Sequence, residues 1–228
     1  MALSDTHSAG PLMGKLPDGD VLVHCGDHTV HGGYLECEQA LRWLGRQPHK
    51  VKWVIPGNHD VLAAKDPEAW AHLCRTYGLV DLNVDKALQN SLGLEVDGFA
   101  ASPSSRLRSP SPAFGAFQYL RAWGFDWSCL IRPRLDLLVT HGPPEGILDQ
   151  VDERTRAGCK DLRDALSRMT WVWAPKLHLF GHIHESAGTE TWDGTAYCNV
   201  STDHGKLPAT VLDYNDGHWA WVSGPGEQ

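Results

Sequence analysis

The sequence lacks an excess of basic residues and lacks long apolar runs. Its 20 Lys and Arg residues are outnumbered by 28 Asp and Glu residues, which gives a formal net charge of -8. A nucleic-acid groove needs a basic surface to meet the phosphates, so nucleic acid is not expected as a partner. No stretch approaches the roughly 20 apolar residues of a membrane-spanning helix, and the first residues lack the features of a secretory leader. We therefore expect a cytoplasmic protein that does not bind membranes.

Paired cysteine motifs are also missing. The six cysteines are scattered along the chain, and none of them forms a Cys-x-x-Cys motif. In a chain of this length we expect reduced thiols rather than a disulfide framework. The 228 residues, 42% hydrophobic and 21% charged, are enough to bury one sizeable core. The composition predicts one soluble domain over residues 1–228.

One pattern does recur along the chain: an apolar run of strand length that ends in Asp, Asn or His. The first example is the run 21–23, which leads to Gly26-Asp27. Three later runs lead in the same way to Asn58 after 51–55, to His141 after 135–139, and to His182 and His184 after 177–180. Proteins of the α/β class build their sites at the carboxyl ends of parallel strands. The four strand ends therefore predict one shared site.

The order of the predicted elements indicates an α/β fold. Helical periodicity and start signals predict helices over 34–44, 66–78, 113–123 and 162–169. Strands alternate with the first two helices, which implies parallel pairing. A very short first strand over 1–4 leads directly to Asp5-Thr6-His7.

Later segments favour hairpins and loops. Asp193-Gly194 and Asp216-Gly217 lie between β-prone runs, and Asp97-Gly98 is a further hairpin-type turn. The Ser- and Pro-rich stretch 102–112 predicts an irregular loop. Together the elements predict two stacked mixed β-sheets flanked by helices, a four-layer α/β/β/α sandwich.

The polar residues collected at the strand ends are imidazoles, carboxylates and one amide. The candidates are Asp5, His7, Asp27, Asn58, His141, His182 and His184. This mixture suits Mn, Fe, Zn or Ni better than Ca or Mg. Seven ligands exceed a single tetrahedral centre but suit two divalent ions that share one carboxylate. In such sites the ions lie roughly 3.5–4 Å apart, hold a hydroxide between them and neutralise a phosphoryl group, so a phosphoester is the natural substrate.

The same residues resemble the five ordered blocks of calcineurin-like metallophosphoesterases. The blocks are Asp5-x-His7, Gly26-Asp27, Gly57-Asn58-His59-Asp60, Thr140-His141 and Gly181-His182-x-His184. The stretches 140–144, 158–159 and 180–185 are also similar to a small subgroup, the metallophosphoesterase-domain-containing proteins.

The resemblance implies a role for each residue. Asp5, His7 and His184 would bind a first metal, and Asn58, His141 and His182 a second, with Asp27 bridging both. His59 would contact the phosphate together with Asn58 and protonate the leaving group. Asp60 would orient His59. His28 is predicted to line the substrate pocket. The alternatives are an outer position around the metals and a loop histidine that faces solvent or is satisfied by the backbone.

Two positions depart from the family pattern. The family usually has an acid three residues after the bridging Asp, where this chain has Val30. The first strand of the family is also usually longer than the one predicted here.

Arg106 and Arg108 could clamp a phosphate or form a solvated pair. His24 and His31 are expected to take no part in the site. His204 follows a strand near the last block and could touch the substrate, but we favour a position without a role in the site.

The resulting hypothesis is a dinuclear metal-dependent phosphodiesterase. It would hydrolyse small phosphodiesters, with cyclic nucleotides as one candidate, by attack of a metal-bridged hydroxide. The partner would be a small phosphorylated substrate, with a nucleotide as one candidate. The alternatives are a phosphomonoesterase or phosphoprotein phosphatase, and a nucleotide-binding scaffold with vestigial activity.

Overall fold

The computed structural model describes residues 1–84, 93–104, 116–169, 172–215 and 218–225. The strands in these ranges are β1 (Ala2–Leu3), β2 (Val21–His24), β3 (Val51–Val54), β4 (Val80–Asp81), β5 (Val96–Phe99), β6 (Ser102–Ser104), β7 (Gln118–Leu120), β8 (Leu137–Thr140), β9 (Leu177–Phe180), β10 (Gly188–Trp192), β11 (Thr195–Asn199), β12 (Val211–Asn215) and β13 (His218–Ser223). The helices are α1 (Gly10–Met13), α2 (Tyr34–Gly45), α3 (Val61–Lys65), α4 (Pro67–Thr76) and α5 (Lys160–Ser167).

Two main sheets form the centre of the fold. The first has the order β1-β2-β3-β4, and every strand pair in it is parallel. The second has the order β10-β11-β9-β8-β5 and is parallel except for the β10–β11 hairpin. The parallel strands bring their carboxyl ends to one edge of each sheet.

Alternating side chains on the strands divide the core into three layers of contacts. Val23 and Trp53 of the first sheet pack against Leu137 and Leu179 of the second. On its outer face the first sheet packs against α2 and α4, and the second sheet packs against α5. Helix, sheet, sheet and helix therefore lie in sequence, which confirms the predicted four-layer sandwich.

The early helices begin where the sequence signals predict. The Asp66 carboxylate accepts a hydrogen bond from the Ala69 N–H at 3.0 Å, and Pro67 occupies the first helical position of α4. Such capping satisfies backbone donors that have no partner inside the helix. α2 spans Tyr34–Gly45 and buries Cys37, Leu41 and Leu44, as its periodicity predicts.

The turn predicted at Asp97-Gly98 is wrong, because both residues lie inside the buried strand β5. β5 pairs with β8 in parallel. A Cβ at position 98 would clash with the Cβ of Leu82 and lie 2.9 Å from Ile55. Gly98 is therefore needed for the close approach of the two sheets. A glycine inside a strand often marks such a close approach.

The predicted helix over 113–123 is also wrong for its described part. Residues 118–120 form β7, which pairs with β6, and a single 3₁₀ turn follows over Arg121–Trp123. The guanidinium of Arg121 donates to the carbonyls of Ala157 and Gly158 at 2.7 and 2.6 Å. These contacts hold the segment extended against a neighbouring loop, so tertiary contacts override its helical periodicity.

The remaining sequence predictions have mixed outcomes. The two late hairpins are present as β10–β11 and β12–β13, although the turn at 216–217 lies outside the described residues. Of the predicted loop 102–112, residues 102–104 form β6, whereas Arg106 and Arg108 lie outside the described residues. The six cysteines are all free, as expected. Within the described ranges no helix is long and apolar enough to cross a membrane.

Candidate metal centre

Sharp reversals of the backbone turn the predicted ligands across the ends of the strands. Asp5, His7, Asp27 and His182 have positive φ angles of 54°, 41°, 56° and 72°. Side-chain-bearing residues seldom adopt this region, and such strained positions cluster at functional sites. At these positions the backbone leaves the direction of β1, β2 and β9, and the side chains that follow the three strands point toward one another.

The first group of polar atoms lies around His7. Nε2 of His7 lies 3.3 Å from Nε2 of His184 and 3.8 Å from Oδ2 of Asp27. Nε2 of His184 lies 3.3 Å from Oδ1 of Asp5. The residues predicted to hold the first metal therefore converge.

The second group lies around His141. Its Nε2 is 2.9 Å from Oδ1 of Asn58, 3.4 Å from Oδ2 of Asp27 and 3.2 Å from Nδ1 of His182. These are the residues predicted to hold the second metal. His141 is fully buried, so solvent does not reach the second group through this residue.

Asp27 belongs to both groups. The same oxygen, Oδ2, faces His7 and His141, whereas Oδ1 accepts a hydrogen bond from the backbone N–H of His59 at 2.8 Å. One carboxylate oxygen thus lies between two histidine clusters while the other is held by the backbone. This arrangement suits a shared ligand.

Backbone carbonyls fix the ring nitrogens that face away from the centre. Nδ1 of His7 lies 3.1 Å from the Thr29 carbonyl, and Nδ1 of His141 lies 2.9 Å from the Cys25 carbonyl. A carbonyl only accepts, so Nδ1 carries the hydrogen and donates it. Each Nε2 therefore faces the centre and would present its lone pair to a metal when it carries no proton, which is how metal-binding histidines are oriented.

Unsatisfied polar atoms indicate that the centre fits a cation. Oδ1 of Asp5 is buried and accepts no hydrogen bond from any described residue, although Oδ2 accepts the His182 N–H at 2.9 Å. The imidazole nitrogens of His7 and His184 face each other at 3.3 Å. Three subsets of the site could each hold a metal ion: His7, His184 and His204; His7, Asp27 and His59; and Asp27, His141 and His182.

The charges of the centre are strongly coupled. Burial raises the pKa values of Asp5 and Asp27, but His184 acting on Asp5 and His141 acting on Asp27 outweigh it, so both pKa values fall well below the usual range. Burial lowers the pKa of His141, but Asp27 more than compensates and raises that pKa to about 9. The carboxylates thus remain ionised, and without a metal a proton on His141 balances them. Metal binding would release that proton.

His59 lies beside the centre, but its predicted partner is different. Its Nδ1 lies 2.8 Å from the backbone carbonyl of Val30. The Asp60 carboxylate instead accepts hydrogen bonds from Gly57, His28 and Thr29. The prediction that Asp60 orients His59 is therefore wrong. The backbone of Val30 provides an acceptor at the position where the family usually has an acid.

His28 does not line a substrate pocket, so that prediction is also wrong. Its side chain is fully buried, its Nδ1 lies 2.8 Å from Asp60, and its ring stacks on His24 at 3.9 Å. Trp70 covers another side of it. His28 therefore packs inside the protein beneath the loop that carries Asp27, where a substrate cannot reach it.

The structure adds Asp203, to which the sequence analysis gave no role, and His204, for which a position outside the site was favoured. Oδ1 of Asp203 lies 3.4 Å from Nδ1 of His184, and the ring of His204 stacks on His7. Both follow β11, which pairs with β9 in parallel and therefore ends at the same edge. The sequence does show polar residues after a strand here. Because the carboxyl-terminal region was predicted to be antiparallel, the end of β11 was not expected at the edge that carries the other ligands.

Glu36 is another residue that the sequence analysis did not identify. Its carboxylate accepts hydrogen bonds from the backbone N–H groups of Val30, His31 and Gly32, and from the hydroxyl of Ser8. Burial raises its pKa, but these hydrogen bonds outweigh burial and lower it overall. Glu36 thus holds the loop whose Val30 carbonyl contacts His59.

Comparison with known proteins places this geometry in context. The family model described as calcineurin-like phosphoesterase matches residues 1–186. The chain is 36% identical over 208 residues to a probable rhamnogalacturonate lyase C of Emericella nidulans, with coverage of 85% of this chain and 18% of that protein. It is 34% identical over 225 residues to metallophosphoesterase domain-containing protein 1 of Homo sapiens, with coverage of 88% and 65%. The chain thus spans under two thirds of the length of either relative.

A solved structure has a similar fold. The crystal structure of TT1561 of Thermus thermophilus matches with a TM-score of 0.56 and 12% sequence identity, over 97% of this chain and 96% of that one. At this identity the likeness concerns the fold alone.

Proposed function

Because the chain belongs to the calcineurin-like phosphoesterase family, we propose that it is a phosphoric ester hydrolase with two divalent metal ions that acts on small phosphodiesters. One observation carries the proposal. Oδ2 of Asp27 lies 3.8 Å from Nε2 of His7 and 3.4 Å from Nε2 of His141. A carboxylate oxygen between two histidine clusters suits two ions that share one ligand.

The proposed ligands divide around that carboxylate. Asp5, His7 and His184 hold the first ion, and Asn58, His141 and His182 hold the second. With four imidazoles, two carboxylates and an amide, the set favours Mn, Fe, Zn or Ni. When bound, such ions supply an activated water and neutralise charge on the phosphoryl group.

The protein's own residues position the substrate and move a proton. Asn58 and His59 are proposed to contact the phosphoryl oxygens. His59 lies edge-on to His7 with ring centroids 4.7 Å apart, and its Nδ1 is held by the Val30 carbonyl. That contact directs Nε2 away from the loop, where it can deliver a proton to the leaving-group oxygen.

The acidic charge of the chain favours a small substrate. A net charge of -8 does not suit a polyanion. A small phosphodiester, with cyclic nucleotides as one candidate, meets this condition. The two ions would reverse the sign of the local charge for such a substrate.

A substrate panel on the metal-loaded protein tests the proposal. We expect hydrolysis of an aryl phosphodiester with added Mn, slower hydrolysis of an aryl phosphomonoester, and none of a phosphopeptide. Asp27→Asn should abolish turnover, while His72→Gln on the exposed face of α4 should not change it. Preference for the monoester or the phosphopeptide would replace the diester assignment. Tight binding of a nucleoside monophosphate without turnover under any metal would favour a binding protein.

A further inference from the structure

His204 lies at the rim of the metal centre without belonging to any of the family blocks. Its exposed ring stacks on His7, with centroids 4.3 Å apart and planes inclined by 25°. It lies edge-on to His184 at 5.2 Å. One ring nitrogen from each of the three histidines lies within 4.8 Å of the other two.

The backbone holds His204 in this place. Thr202 donates from its N–H and its hydroxyl to the Ser4 carbonyl at 2.9 and 2.8 Å, and the His204 N–H donates to the Asp5 carbonyl at 3.0 Å. Asp203 and His204 adopt left-handed φ angles of 43° and 59°. The turn is thus tied to the segment that carries Asp5 and His7, and its strain resembles that of the ligands themselves.

Ring geometry argues against His204 as a ligand of the ion bound to His7. An imidazole binds a metal through a lone pair in the plane of its ring. The rings of His7 and His204 are stacked with planes inclined by 25°, so their lone pairs lie in nearly parallel planes and do not converge on one ion. The stacked ring keeps its nitrogens available for another partner.

The position of His204 mirrors that of His59. His59 packs edge-on against His7 at 4.7 Å, and His204 packs on the face of the same ring. Two imidazoles outside the proposed ligand set therefore flank His7. A phosphoryl group held at the ions would present oxygens to both.

We propose that His204 is a substrate-binding residue that donates a ring N–H hydrogen bond to a phosphoryl oxygen of the bound ester. The proposal rests on the proposed function, because it needs a phosphate at the ions. It concerns the non-bridging oxygens that monoesters, diesters and inorganic phosphate share. It requires only a neutral imidazole, since either tautomer carries one N–H.

Matched variants separate hydrogen bonding from packing. His204→Phe keeps a ring to stack on His7 but has no donor. His204→Gln keeps a donor but has no ring. His72→Phe introduces the same change at an exposed position on α4 and serves as the control.

The test measures metal content and the affinity of the metal-loaded protein for inorganic phosphate by calorimetry. We expect His204→Phe to keep the metal content of the parent protein and to bind phosphate about tenfold more weakly, as for the loss of one hydrogen bond to a charged group. The KM for an aryl phosphodiester should rise with it while kcat changes less. His204→Gln should recover most of the phosphate affinity.

The outcomes distinguish this proposal from the proposed function. Unchanged phosphate affinity in His204→Phe would show that His204 only packs, even if the parent hydrolyses esters. A loss of metal from His204→Phe and His204→Gln would make it a ligand instead. No phosphate binding by the metal-loaded parent would overturn the proposal directly. Phosphate binding that depends on His204 without any turnover would retain the proposal and overturn the proposed hydrolysis.

Discussion

Replacing Asp60 by Asn should destabilise the fold and weaken metal binding together. The carboxylate is fully buried and accepts five hydrogen bonds. Oδ2 accepts from the His28 N–H, the His28 ring and the Gly57 N–H at 3.2, 2.8 and 2.8 Å. Oδ1 accepts from the N–H and the hydroxyl of Thr29 at 3.1 and 2.8 Å. Asp60 thus ties together the loops that carry Asp27 and Asn58.

The expected magnitude follows from counting donors. An Asn amide nitrogen in place of Oδ1 must face the Thr29 N–H, which loses its partner, and the Thr29 hydroxyl can turn to accept instead. An orphaned buried donor costs about 1–3 kcal/mol, and the three bonds that remain at Oδ2 lose their charged acceptor, worth up to about 1 kcal/mol each. We expect a loss of about 3–5 kcal/mol in the free energy of unfolding. Most domains have about 5–15 kcal/mol in total, so the variant should still fold.

Urea unfolding measured by tryptophan fluorescence gives this free energy, and metal analysis of the same samples gives the second readout. Asp66→Asn is the matched control, because Asp66 is an exposed helix cap and Asn caps a helix as well as Asp does. A loss below about 1 kcal/mol in Asp60→Asn would refute the reasoning from buried hydrogen bonds. A loss of about 3–5 kcal/mol with unchanged metal content would refute the link between Asp60 and the metal centre.

Three further predictions concern packing, pH and the proton donor. Gly98→Ala places a methyl group against Leu82 between the sheets and should lower the free energy of unfolding in urea by about 1–3 kcal/mol. Gly33→Ala, whose added Cβ meets no atom within 4 Å, should lower it far less. Equal losses in the two variants would contradict the packing account. Burial lowers the pKa of His178 from 6.5 to about 3, so between these pH values only the unfolded chain binds that proton. The free energy of unfolding should therefore fall as pH falls through this window, by about 1.4 kcal/mol per unit from this residue, and His178→Gln should flatten the slope seen in urea titrations; an unchanged slope would contradict it. His59→Gln should reduce kcat by about 10²–10⁴-fold for an alkyl phosphodiester but much less for a nitrophenyl ester, which needs no proton, and equal reductions would exclude proton donation by His59.

The sequence reasoning located the strand ends because parallel strands leave a local signature. The run 21–23 and the Gly26-Asp27 that follows it need no tertiary information to be read as a buried strand with a polar tip. The same holds for the tips at Asn58 and His141. The structure brings these residues together as predicted, because both main sheets direct their carboxyl ends to one edge.

The errors arise where a local signal competes with a contact distant in the chain. Asp97-Gly98 has the composition of a turn, but Gly98 is fixed by the approach of Leu82 from the other sheet. His28 is a polar residue beside a ligand, but its ring is enclosed by the buried pair with Asp60. His204 joins the site only because β11 pairs with β9, which no local pattern reveals.

The central claim is that Asp27 is shared by two metal ions. Electron paramagnetic resonance during a titration with Mn²⁺ tests it most directly, since two Mn²⁺ ions joined by one ligand give an exchange-coupled spectrum. We expect coupling to appear as the second equivalent binds the parent protein and to be lost in Asp27→Asn. Saturation at one Mn²⁺ per chain, or two Mn²⁺ without coupling, would contradict the account.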